Sequence, residues 1–202
     1  MNETPVTIVE PEWLARPSTE VAPALIGCAL VRQLPDGERI RGTIAETEAY
    51  QPGDPASHAY RQRTPRNQAM FGPPGTIYVY LIYGMYHCLN LVCDRPGVPS
   101  AVLIRALQLD IMPPGLQKKE KLSRIAAGPG KLCRTLQIDR SLNDRPLQPG
   151  GPLWLEHRTP EFQQQLEQGT LSLVQTTRIG ISVGTDLPWR WYLANSPAVS
   201  KL

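Results

Sequence analysis

Twenty-one of the 202 residues are proline, spread from Pro5 to Pro197. Each proline fixes φ and removes a backbone N–H, so it interrupts helices and is confined to strand edges and turns. A chain punctuated this often reads as a loop-rich fold of several short elements, not a helical bundle. Its length suits one domain with a sizeable core. With 41% hydrophobic and 19% charged residues, the composition is that of an ordinary globular protein.

Between the breakers, pattern and turn chemistry place the elements. Residues 1–17 carry three prolines and read as an N-terminal arm, followed by one domain over 18–202. Ser18-Thr19-Glu20 suits a helix start, with the helix running to about Gly27. Cys28–Leu34 and Arg39–Tyr50 read as strands joined through Asp36-Gly37, a strong hairpin signal. Residues 51–75 read as loop. Strands follow at 76–82, 86–93 and 101–107, with Tyr83-Gly84-Met85 as a hairpin tip. Helices are expected over 130–136 and after Thr159-Pro160-Glu161, where threonine caps and proline takes the first turn. Strands are expected again at 171–181 and 189–194. The sum is an α+β single domain: a curved, mainly antiparallel sheet with surrounding short helices and a protruding hairpin.

The strand over 39–50 carries its own chemistry. Ile40, Gly42, Ile44, Glu46, Glu48 and Tyr50 share one face by period-two alternation. An apolar face thus continues directly into two carboxylates and a phenol. Either the acids emerge partly desolvated at the edge of the core, or the strand bulges or ends before Glu46 and leaves them exposed. Alternation alone admits both.

Net charge is only +3, so bulk charge does not mark a nucleic-acid binder. Charge is nevertheless segregated. Arg61, Arg63 and Arg66 lie in one stretch without an acid, and Lys118, Lys119, Lys121, Arg124, Lys131 and Arg134 share a second region with Glu120 alone. Such clusters can follow a phosphate backbone or form a solvated positive face. Cys28, Cys88, Cys93 and Cys133 have no paired spacing and read as reduced thiols of a cytoplasmic protein. His87 beside Cys88 lacks a second ligand pair at metal-site spacing, so no metal and no other cofactor is expected. No run is apolar enough to span a membrane.

The segment Ile77–Tyr86, IYVYLIYGMY, holds four of the seven tyrosines. Tyr78 and Tyr80 share a strand face, and Tyr83 falls at a turn. This run sits within GTIYVYLIYGMYHCLN (75–90). Together with IAETEAY (44–50), TPRN (64–67), VLIRAL (102–107) and GPGKLC (128–133), it resembles the alkyladenine (3-methyladenine) DNA glycosylase family, in the family's order. The resemblance extends from about residue 18 to residue 200, and the tyrosine run is its most specific part. Nothing resembles the helix-hairpin-helix glycosylases.

The resemblance implies a monofunctional, monomeric base-excision enzyme acting on double-stranded DNA. It would flip alkylated or deaminated purines (3-methyladenine, 7-methylguanine, hypoxanthine, ethenoadenine) and hydrolyse the N-glycosidic bond. It makes Glu48, the second glutamate of ETEAY, the general base, with Glu46 as the rival. Arg105 matches a residue that holds the water, and the Leu193 carbonyl matches a third water ligand. Tyr50, His58 and Tyr80 would form the base pocket, where flat rings stack on a purine and attract a cationic one. Tyr78 would orient His58, and Asn90 would crowd the exocyclic amine of guanine. Tyr83 would enter the minor groove in place of the flipped nucleotide, with Met85 and Tyr86 beside it. Lys131, Arg61, Arg63 and Arg66 would meet phosphates.

Two other readings fit parts of the pattern. Glu46, Glu48, Asp54 and His58 are close enough in sequence to be ligands of a metal-dependent nuclease or hydrolase. A nucleic-acid-binding module that kept the aromatic hairpin and lost catalysis is the other, though the Glu48–Arg105 pair argues against it.

Overall fold

The computed structural model describes residues 7–113 and 120–201. Lys118 and Lys119 of the second basic cluster lie outside the described residues. Ala29–Gln33 (β1) and Arg39–Tyr50 (β2) form the expected hairpin, with Gly37 at φ 92° in its turn. β2 is the central strand. One edge pairs antiparallel with Ala101–Leu109 (β5). The other edge changes neighbours midway, from β1 over residues 39–43 to Arg190–Leu193 (β8) over 46–48. Ile77–Ile82 (β3), Tyr86–Val92 (β4), β5, β2, β1 and Leu153–Glu156 (β6) follow in order, with Leu173–Thr176 (β7) and β8 branching from β2. The sheet is therefore antiparallel and curled into a half barrel within one α+β domain.

Among the described residues, four short α-helices surround it: Ser18–Leu25 (α1), Leu122–Ile125 (α2), Pro129–Thr135 (α3) and Pro160–Glu167 (α4). The main core, including Leu25, Ile44, Leu89, Ile104, Leu107 and Leu132, lies between helices and sheet. A smaller cluster of Ala69, Met70, Tyr78, Val92 and Ala101 closes the β3–β5 end. No helix among the described residues is long and apolar enough to cross a membrane.

Several boundaries differ from expectation for identifiable reasons. α1 ends at Leu25 because Ile26 is extended (ψ 127°) and Gly27 takes φ 89°. Ser18 does not cap it. Its hydroxyl donates to the Tyr50 carbonyl (3.0 Å) and its N–H to Ser100 Oγ (3.1 Å), so the helix start is fastened to the end of β2. Thr159 does cap α4, accepting from the Phe162 N–H. β7 stops at Thr176 rather than continuing to Ile181. Beyond it, Arg178 and Ile179 direct their hydrogen bonds to Asp54 and Glu48 instead of a strand ladder. β6 was not foreseen; four residues give too short an alternation. Residues 7–17 lie against the sheet, with the Val9 N–H donating to Leu155 and Leu14 buried.

β3 is an edge strand, and residues 143–146 cover its open side. The Ile77 N–H donates to the Arg145 carbonyl (2.8 Å) and the Val79 N–H to Asn143 Oδ1 (2.9 Å). A paired edge cannot template aggregation. Asn143→Ala leaves the buried Val79 N–H without its acceptor. We expect a loss of about 1–3 kcal/mol in unfolding free energy, read from the urea midpoint at unchanged m-value.

Candidate active site

The β2–β5 ladder is irregular where the acids lie. Ile44 faces Leu107, Glu46 faces Ala106, and Thr47 faces Ile104. Ala45 on β2 and Arg105 on β5 are thus extra residues, one on each strand. Bulges re-aim side chains beside functional sites, and this one directs Arg105 at both glutamates. Its Nε donates to Glu46 Oε1 (2.9 Å), and its Nη1 lies 3.2 Å from Glu48 Oε1. The Arg105 carbonyl is satisfied outside the ladder, by the Gly128 N–H at the start of α3 (3.0 Å).

Both glutamates are fully buried, so the exposed placement that alternation left open does not occur. Nor do they share the face of Ile40 and Ile44: the bulge reverses the alternation, so Thr47 and Ala49 follow Ile44 onto the core side under α1, while Glu48 and Tyr50 turn to the opposite side with Leu103. Their surroundings separate them. Glu46 accepts from Arg105 Nε, Arg190 Nε (2.8 Å), the Ser200 N–H (2.7 Å) and the Ser200 hydroxyl (2.9 Å). Burial alone raises a carboxyl, but Arg105, Ser200 and Arg190 outweigh it and hold Glu46 below the ordinary carboxylate value. Its capacity is used up within the protein. Glu48 accepts from the Tyr50 hydroxyl (2.9 Å) on Oε2 and from the Ile179 N–H (2.8 Å) on Oε1. Glu48 lines a cavity, and Glu46 does not.

That cavity holds about 750 Å³. Glu48, Arg105, Cys88 and Asn90 line it, together with Tyr50, His58, Tyr78 and Tyr80. The proposed pocket residues are therefore brought together. His58 Nδ1 is 2.9 Å from the Tyr78 hydroxyl, and its ring meets Tyr80 edge-on at 4.4 Å. Burial, with help from Arg66, lowers the His58 pKa and favours the neutral ring. Burial also pushes the Tyr78 phenol up to about 12, so it keeps its proton. Asn90 is buried and donates from Nδ2 to the Tyr78 carbonyl (3.3 Å). Asn67, which sequence reasoning passed over inside TPRN, pins the His58 loop. Its Nδ2 donates to the His58 carbonyl (2.9 Å) and the Gln62 carbonyl (3.0 Å), and its Oδ1 accepts from the Thr64 N–H.

The β3–β4 tip borders the same cavity. Tyr83 and Gly84 both take positive φ (52° and 69°), and the Met85 N–H closes the turn on the Ile82 carbonyl. Two such residues make a tight turn whose twist matches the strands. Tyr83 is 76% exposed, and Met85 and Tyr86 are exposed beside it. Tyr86 lies on Gly130 of α3, where an added Cβ would come 3.0 Å from its ring. Lys131 stands at the cavity rim, 3.4 Å from Glu120. Arg61 and Arg63 are exposed, and Arg63 also lies over the Phe71 ring at 5.2 Å. Arg66 braces the hairpin by donating to the Leu81 carbonyl (3.3 Å).

Leu193 is not brought to this site. It lies on β8 opposite Leu173, buried in the core, and is absent from the cavity walls. The backbone that reaches Glu48 is that of Ile179, in the loop after β7. A strand reading of 171–181 hid this loop; Gly180 and Gly184, both at positive φ, were its only sequence signal. The metal-ligand set is not assembled either. Glu46 is bound by arginines and Ser200, Asp54 by Arg178, and His58 by Tyr78. Among the described residues, no three His, Cys, Asp or Glu side chains are grouped for a metal.

A family model described as "Methylpurine-DNA glycosylase (MPG)" matches residues 12–197. The chain is 61% identical over 201 residues to a protein of Trichodesmium erythraeum, covering 96% of this chain and 98% of that one. It is 54% identical to a protein of Synechococcus sp. strain JA-3-3Ab, covering 94% and 97%. It is 45% identical to one of Streptomyces avermitilis, covering 98% and 92%. All three carry the name "Putative 3-methyladenine DNA glycosylase".

Glu46→Gln leaves the buried charges of Arg105 and Arg190 without their carboxylate. Breaking such a network costs about 3–5 kcal/mol, measurable by denaturant unfolding at neutral pH. Because the folded-state pKa of Glu46 is depressed, its stabilisation is fully present above the unfolded value of about 4.3. It is lost as pH falls through the folded value. The stability gap between the wild type and Glu46→Gln therefore narrows on acidification below about pH 4.

Proposed function

Because the chain belongs to the methylpurine-DNA glycosylase family, we propose that it flips an alkylated or deaminated purine out of duplex DNA and hydrolyses the bond from base to sugar. Glu48 is the general base. The observation that carries this assignment is the division of labour between two buried carboxylates: Glu46 is bound on every side and does not border the cavity, whereas Glu48 forms part of the cavity wall. A water held by Glu48 and Arg105 attacks C1′ of the sugar and gives a proton to Glu48. The N-glycosidic bond breaks with its electron pair going to the base. The negative carboxylate also favours the oxocarbenium character that develops on the sugar. A carboxylate acting on water needs no cofactor. The Ile179 backbone, rather than the Leu193 carbonyl, is the main-chain neighbour of that water in this reading.

Tyr50, His58 and Tyr80 receive the base, with each aromatic face contributing about 1–3 kcal/mol of stacking. The Tyr78 hydroxyl donates to His58 Nδ1, which leaves the proton on Nε2 free to donate to the base. Asn90 narrows the pocket against the guanine amine. Tyr83 enters the duplex from the hairpin tip and holds open the gap, flanked by Met85 and Tyr86. Lys131, Arg61, Arg63 and Arg66 are the phosphate contacts, with Arg66 also holding the hairpin.

Glu48→Gln should lower single-turnover base release by at least about 100-fold while affinity for lesion-containing duplex stays nearly unchanged. Excision at the wild-type rate would show that another group activates the water. Tyr83→Ser should weaken lesion-duplex binding and extrusion, followed with a fluorescent base analogue, and spare the water chemistry once the base is flipped. Undiminished extrusion by this variant would remove the wedge role.

A further inference from the structure

Arg178 and Asp54 form an ion pair whose two side chains are wholly buried. Arg178 Nη2 donates to Asp54 Oδ1 (2.8 Å), and Nη1 donates to Oδ2. The same guanidinium donates to the carbonyls of Ala49 (3.0 Å) and Gly184 (3.3 Å). Its carbon lies 4.7 Å from the centre of the Tyr50 ring and 5.2 Å from that of Trp189. Burial opposes the charge on Arg178, but Asp54 outweighs it, so the guanidinium stays protonated. Tyr50 lines the cavity, whereas Arg178 and Asp54 do not. A fixed cation shut off from the cavity thus covers one face of the pocket ring, which leaves its other face and edge to meet a ligand.

We propose that Asp54 is a specificity-determining residue: it cancels the Arg178 charge behind Tyr50 and so lets the pocket accept a positively charged base. The inference rests on the proposed base-excision reading. An aromatic face attracts a cation through its quadrupole. A second cation on the opposite face draws on the same electrons and repels the first. Across the ring the two charges would stand about 8 Å apart. At an effective dielectric near 20, that repulsion is worth about 30-fold, and screening within the cavity reduces it to roughly tenfold. A carboxylate bound bidentately to the guanidinium removes most of this penalty. Neutral bases are indifferent to it. Asp54 touches no substrate; it acts through Arg178 and Tyr50.

The test compares single-turnover excision of 7-methylguanine, a cationic base in DNA, with excision of hypoxanthine, a neutral one, from otherwise identical duplexes. Both rates come from one preparation, so any inactive fraction cancels in their ratio. Asp54→Asn should lower the 7-methylguanine-to-hypoxanthine ratio by roughly tenfold. Arg178→Gln leaves a carboxylate near the ring and should raise the ratio or leave it unchanged. The double variant buries no charge and should restore the wild-type ratio within about twofold; it also remains testable if the single variants do not fold. A ratio unchanged in Asp54→Asn, a fall in both single variants, or a displaced ratio in the double variant overturns the proposal. Wild-type protein that excises neither base overturns the functional reading itself.

Discussion

Glu46 is the carboxylate on which the site depends, although it does not face the cavity. It is fully buried and bound by Arg105, Arg190 and Ser200. An isolated carboxylate in such a place would be very costly; paired and hydrogen-bonded on every side, it is tolerable. The result is geometric. Arg105 is held by one carboxylate so that it can face another. The C-terminal segment joins the arrangement: Arg124 donates to the carbonyls of Pro197 and Val199, and Arg190 donates to that of Lys201. Glu46 and Ser200, 154 positions apart, thus hold the one guanidinium of Arg105.

Much of the fold was legible because it is locally encoded. Asp36-Gly37 announces the β1–β2 turn, Thr159-Pro160 announces α4, and Tyr83-Gly84 announces the hairpin tip. The pocket aromatics and Glu48 were legible through resemblance, whereas alternation put Glu46 and Glu48 on the face of Ile40 and Ile44, from which the bulge turns them away. What alternation could not show was the compensated bulge at Ala45 and Arg105. Two extra residues on facing strands keep the pairing register on either side but reverse which side chains face the core beyond them, and strict period-two reading assumes no such reversal. Burial of the acids was equally hidden, since it comes from β8, the loop after β7 and the C-terminal segment. The loop after β7 was misread because TTRIGIS has strand-like composition. Its hydrogen bonds go to Asp54 and Glu48, over 100 residues away, and no local signal reports that.

The hairpin tip shows the converse case, in which local strain is visible and its purpose is not. Tyr83 adopts a left-handed conformation that costs an ordinary side chain about 1–2 kcal/mol. Asparagine or glycine would fill the position without that penalty. The strained arrangement instead leaves a large aromatic side chain 76% exposed at the mouth of the cavity. Strain kept at a turn, with an apolar ring turned to solvent, suits a residue whose partner is supplied on binding.

Tyr50 joins the two halves of the proposed reaction. Its ring lines the cavity, and its hydroxyl donates to Glu48 Oε2. Burial, reinforced by Glu48, raises its pKa and keeps that proton in place. One face of the ring is backed by Arg178. In the proposed reaction, the side chain that stacks on the base is therefore also the one that orients the general base. In a site where a misplacement of 1 Å can cost about 100-fold in rate, this shared contact would register the flipped base of the proposed reaction against the carboxylate.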